Sequence, residues 1–94
     1  MLANASLAYT SRLVAEHTPR IGVMQELQEK IGSRIRAIRL KRGWSQEEFA
    51  DICGIHRGHM GQIERGEKDV SISTLAKVGK GLDMAVATLL KGII

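Results

Sequence analysis

The sequence predicts an all-α domain: a bundle of five helices behind a variable amino-terminal extension. Three observations carry that expectation. Hydrophobic residues make up 44% of the 94 positions but aromatic ones only 3%, so the core is aliphatic, and the β-branched and aromatic alternation of a sandwich is missing. Met24, Leu27, Ile31, Ile35 and Ile38 recur every three or four residues, the period of a helix face. Start and stop signals then divide the rest: Ser45 with Glu48 three residues on, Gly43 and Gly54 after periodic runs, and Ser71 before Ile72.

Residues 1–18 are the least informative. Asn4 or Ser6 can cap a short helix with Leu7, Leu13 and Val14 partly on one side, and Thr18-Pro19 interrupts it, because Pro disfavours helix in the residue before it and fits the start of a new one. Three readings compete: a flexible arm, a dimerisation helix, or upstream sequence with Met24 as the true start. From about Arg20 a helix runs to Lys41 or Arg42, whose charges suit its carboxyl end, and Gly43 stops it. Gly32 is a mild weak point, about 1 kcal/mol worse than Ala in a helix. Trp44, the only Trp, reads as a core or rim side chain closing the gap between the first two helices rather than a stacking platform for a base.

Next comes the run Gln46 to Arg65, two short helices with a tight corner. Ser45 and Glu48 form a capping box. Phe49, Ala50 and Cys53 share one face, and Gly54 can take the left-handed conformation that ends a helix. The second helix turns Met60 and Ile63 inward and presents Arg57, Gly58, Gly61 and Gln62 on its other face. Small Ala50 lies where the helices cross. This is a helix-turn-helix, whose second helix can enter a DNA major groove. A loop, Gly66 to Ser71, precedes a helix from Ile72 to about Lys80 with Ile72, Leu75 and Val78 inward. A last helix spans about Ala85 to Lys91, with Asp83 or Ala85 at its start and Gly92 after it.

The segment Ile31 to Leu90 resembles the Cro/C1-type (XRE) DNA-binding domain of phage repressors and restriction-modification controllers. The residues that carry the likeness are Arg34, Ile35, Arg39, Gly43, Ser45-Gln46-Glu47-Glu48, Ala50, Gly54, Gln62-Ile63-Glu64-Arg65-Gly66 and Ser71-Ile72-Ser73-Thr74-Leu75. The resemblance implies the lambda-repressor-like fold over residues 28–94, with residues 1–27 as the extension. It also implies that Arg39 and Glu64 form a partly buried ion pair, that Gln46 contacts phosphate and braces the reading helix, and that the positions of His56, Arg57, Gly58 and Gln62 approach bases. Gly79 and Gly81 stand where the family tends to have Ala, which weakens that helix's last turn.

Charge agrees with a DNA partner. The net charge is +4, and residues 31–66 hold seven basic side chains against four acidic; a basic stripe of this kind attracts a phosphate backbone. Arg57 can bind guanine O6 and N7 with two hydrogen bonds, and Gln62 can pair with adenine. The two lie about 140° apart around the helix, wide but still able to flank the groove floor, and His59 is a further candidate for base readout. Gly58 and Gly61 each cost the helix ~0.8–1 kcal/mol relative to Ala. They either let its backbone sit closer to base edges or are tolerated on an exposed face. Phosphates are expected at Ser45 and Gln46, where a helix amino end offers N–H groups, and at Arg36, Arg42, Arg65 and Lys68.

Other classes fit poorly. Ninety-four residues leave little room for a second core or a cleft between domains. No run approaches the ~18 apolar residues of a membrane span. The one cysteine suits a reducing cytoplasm. Cys53, His56 and His59 have a C-x2-H-x2-H spacing but lack a fourth zinc ligand, and no catalytic constellation is placed on suitable elements, so no cofactor is expected. The expected function is a sequence-specific, double-stranded DNA-binding transcriptional regulator, a repressor or autoregulator acting as a homodimer on a palindromic operator. The alternative is an antitoxin that binds a toxin protein and its own promoter.

Overall fold

A computed structural model describes residues 17–94, with side-chain surroundings from Gly22 onward. The expectations for residues 1–16 lie outside the described residues. Among the described residues five helices follow in order: α1 His17–Lys41, α2 Gln46–Cys53, α3 Arg57–Glu64, α4 Ile72–Leu82 and α5 Val86–Leu89. No strand occurs among the described residues.

The first helix is 25 residues long and crosses residues 27 and 28 without a break. Pro19 sits in its first turn, where the missing N–H has no intrahelical acceptor in any case. The apolar stripe is buried in the core at Ile31 and Ile35, with Ile38 packed against it, while Met24 is 57% exposed. Gly32 is buried at the crossing of α1 and α3: a Cβ there would collide with the Ile63 carbonyl oxygen and approach that of Glu64 to 2.8 Å. The expected weak point is therefore a contact that requires glycine. What it costs α1 in propensity, it returns by letting the two backbones meet.

Both ends of α2 follow local rules. The Ser45 hydroxyl accepts from the Glu48 N–H at 3.0 Å, and the Ser45 N–H donates to the Glu48 carboxylate at 2.9 Å. The Ser45 backbone N–H first, and the Ser45 hydroxyl second, hold the Glu48 carboxyl below the usual carboxylate range. Gly54, at φ 69°, ends the helix in the left-handed region. Phe49, Ile35, Met60, Ile63, Leu82, Leu89 and Val78 form the buried centre. Trp44 stacks on Phe49 with ring centroids 5.6 Å apart and is half-buried at the rim.

The carboxyl-terminal part departs from expectation in four ways. Helix α4 reaches Leu82, and its close packing explains both glycines: a Cβ at Gly79 would lie 2.7 Å from the Met84 carbonyl oxygen, and one at Gly81 2.5 Å from Cys53 Sγ. Asp83 does not start the last helix; it takes φ 53° and closes α4, while Ala85 precedes α5 without any side-chain cap. Uncapped, α5 is only four residues long. Finally Ile72, expected inward, is 80% exposed. It lies one turn before Leu75, beyond the edge of the core, and lines an apolar groove of about 230 Å³ with Met24, Val70, Leu90 and Ile94. Arg34 ties the chain end to α1 by donating to the Leu89 and Lys91 carbonyls, both at 3.0 Å.

Candidate nucleic-acid interface

The site is built on one buried network. Arg39 on α1 grips Glu64 on α3 through two hydrogen bonds, Nε to Oε2 at 2.7 Å and Nη2 to Oε1 at 2.9 Å, and its Nη1 donates to the Trp44 carbonyl at 2.9 Å. The two side chains are buried; the bond to Glu64 raises the Arg39 pKa beyond its already high value, against the opposing effect of burial. Gln46, first residue of α2, donates its Nε2 to Glu64 Oε1 at 3.2 Å. Three elements thus meet at one carboxylate, and every donor on it is charge-assisted or amide. This fixes the angle at which α3 leaves the body.

Gly61 belongs to that network. It is buried, not on the exposed face as expected, because the Gln46 and Arg65 side chains cross over it; a Cβ would lie 3.1 Å from Gln46 Oε1 and 3.0 Å from Arg65 Nη1. Neither explanation offered for it, approach to bases or tolerance on an open face, describes its surroundings.

The amino end of α3 is capped by a histidine. His56 has extended backbone, and its Nδ1 accepts from the Gly58 N–H at 3.1 Å. A neutral ring in this pose carries its proton on Nε2. That single donor is what His56 has left for a base or a phosphate. Gly58 is exposed, and a Cβ there would stand 3.2 Å from the ring nitrogen, so its small size makes room for the cap.

Beyond the cap, Arg57 is exposed at the head of α3, and its Nη1 donates to the Glu47 carboxylate at 3.2 Å. Gln62 and His59 are half-buried. Of the expected phosphate contacts, Ser45, Arg36 and Lys68 are exposed and Gln46 is half-buried. Arg65 is engaged with Glu67 through Nε at 2.7 Å and Nη2 at 3.2 Å, which holds the Glu67 carboxyl low. Arg42 donates Nη2 to the Leu82 carbonyl at 2.8 Å and lies 5.6 Å over the Trp44 ring; it bridges α1 to the end of α4. Sequence reasoning missed this bridge, the Arg34 clamp and the Glu47–Arg57 pair. Ten residues separate Glu47 from Arg57, and only the corner at Gly54 brings the first turns of α2 and α3 together.

The Cys53 thiol is buried against Gly81, and burial pushes its pKa up to about 11. That disfavours the thiolate a metal would need. Among the described residues no group of three His, Cys, Asp or Glu side chains could hold a metal ion, and no helix is long and apolar enough to cross a membrane.

An α2–corner–α3 unit locked to a helical body, with a basic, exposed head on α3, defines a helix-turn-helix DNA-binding domain. The comparisons with known proteins agree. The helix-turn-helix family model matches residues 35–89. The control protein C.SmaI of Serratia marcescens is 37% identical over 65 residues, 69% of this chain and 77% of that protein. Control protein C.BamHI of Bacillus amyloliquefaciens is 40% identical over 60 residues, 63% of this chain and 74% of that protein. The crystal structure of the restriction-modification controller protein C.AhdI from Aeromonas hydrophila superposes with a TM-score of 0.64 at 35% identity, covering 66% of this chain and 94% of that one. The chain belongs to the helix-turn-helix family of the Cro/C1 (XRE) type, whose members are DNA-binding transcriptional regulators rather than enzymes.

Proposed function

We propose that this regulator is a repressor or autoregulator that reads a pseudo-palindromic operator as a homodimer, with half-sites about one helical turn (~34 Å) apart. The observation that carries the reading is Arg57, exposed at the head of a helix whose pitch is fixed by the buried Arg39–Glu64–Gln46 network. Arg57 and Gln62 read base edges, with His59 and the Nε2–H of His56 beside them and Gly58 keeping the helix head slim. Ser45, Gln46, Arg36 and Lys68 meet phosphates; Arg65 and Arg42 join them with the donors that their bonds to Glu67 and Leu82 leave free. The apolar groove supports a second copy as partner, because Ile72 and Ile94 are 80% and 81% exposed there, and none of the proposed reading residues lines it. Selection of bound sequences from random duplexes tests this. A guanine-containing motif repeated in inverted orientation is the expected result; no enrichment, or a single unrepeated motif, contradicts it.

A further inference from the structure

Among the described residues three arginines pair with carboxylates, and they do so in two ways. Arg39 and Arg65 each spend Nε and Nη2 together on one carboxylate. That edge is the planar fork that matches two acceptors side by side. Arg57 differs. It gives Glu47 only Nη1, from the opposite side of the guanidinium, and no other acceptor among the described residues takes its Nε or Nη2. The fork of Arg57 is therefore braced from behind by one 3.2 Å bond between two exposed side chains and left open in front.

We infer that Glu47 is a positioning residue that fixes the Arg57 guanidinium so that its Nε–Nη2 edge faces a guanine, making Glu47 a determinant of sequence specificity. The inference rests on the reading of Arg57 as a base contact. A flexible arginine is a good non-specific cation, since it swings to any nearby phosphate. One tethered by a carboxylate loses that freedom and keeps the two-acceptor contact that guanine O6 and N7 supply. The carboxylate also repels phosphates near the groove edge, so unrelated sequences are bound less well. Glu47 sits in the first turn of α2, where the helix dipole favours a negative side chain. It is exposed, and the Ser45–Glu48 capping box does not use it, so replacing it leaves the fold intact.

The test uses the full chain and the duplex enriched from random sequence, compared with the same duplex carrying adenine for the guanine that Arg57 reads. Glu47→Ala is expected to reduce the preference for guanine by about tenfold while binding unrelated duplex as tightly as the parent or more so. Glu47→Gln, which loses the charge but keeps an acceptor oxygen, is expected to retain more of the preference than Glu47→Ala. Unchanged preference in Glu47→Ala, with Arg57→Ala abolishing it, overturns the positioning role alone. Preference that survives Arg57→Ala overturns the reading of Arg57 and the inference with it. Melting curves of each variant confirm that a change in binding is not a loss of fold.

Discussion

Glu64 accepts from Arg39 and Gln46 at once, and no buried side-chain nitrogen or oxygen among the described residues lacks a partner. Removing one member leaves the others stranded. Glu64→Ala is expected to destabilise the domain by about 3–5 kcal/mol, read as a lower urea midpoint with little change in slope. A loss below about 1 kcal/mol would show that the network is not a structural lock. The glycines of α1 make a second test at the same scale. Gly32→Ala drives a Cβ into backbone carbonyls that cannot swing aside, whereas a Cβ at Gly22 meets nothing within 4 Å. Gly22→Ala is expected to stabilise by up to about 1 kcal/mol, and Gly32→Ala to destabilise by about 1–3 kcal/mol or more. Equal effects would place Gly32 outside the crossing. The ion pair was legible as a family likeness. The need for glycine at position 32 was not, because what faces it comes from residues some thirty positions later.

At the level of the helix, α3 depends on a cap that sequence reading overlooked. His56→Ala removes the bond to the Gly58 N–H and is expected to cost about 0.5–2 kcal/mol. Gly58→Ala gains helix propensity of about 0.8–1 kcal/mol but presses on the His56 ring. The gain should be smaller in the parent than in the His56→Ala background, and thermal melts of the four combinations give that coupling directly. Additive effects would mean that the ring and position 58 do not touch. Helix α2 was readable almost to the residue because its signals are local: the Ser45–Glu48 box and Gly54 lie within nine positions of one another. The end of α4 was not, since Asp83 adopts a left-handed backbone usually left to glycine, and nothing around it in the sequence announces that. Helix α5 was overestimated for a related reason: its apolar run continues past Leu89, but without a cap only one turn holds.

For the molecule as a whole, the described residues place the proposed reading side chains and the apolar groove on separate sets of residues. Ile72→Glu is expected to convert a sedimenting dimer to monomer without lowering the stability of the fold, since Ile72 is 80% exposed. A dimer that survives the substitution would put the interface elsewhere. Salt dependence reports the same assembly from the DNA side. Each phosphate met steepens the slope of log affinity against log salt by about 0.9, so removing the charge of Lys68 should flatten it by about that amount per subunit with base preference unchanged. Dimethyl sulfate footprinting of the enriched operator bears most directly on the orientation of α3. The parent protein is expected to shield the N7 of one guanine per half-site, and Arg57→Ala, at a concentration that saturates the operator in a gel shift, to leave that guanine open; a guanine equally shielded by both proteins would contradict the claim that Arg57 reads it.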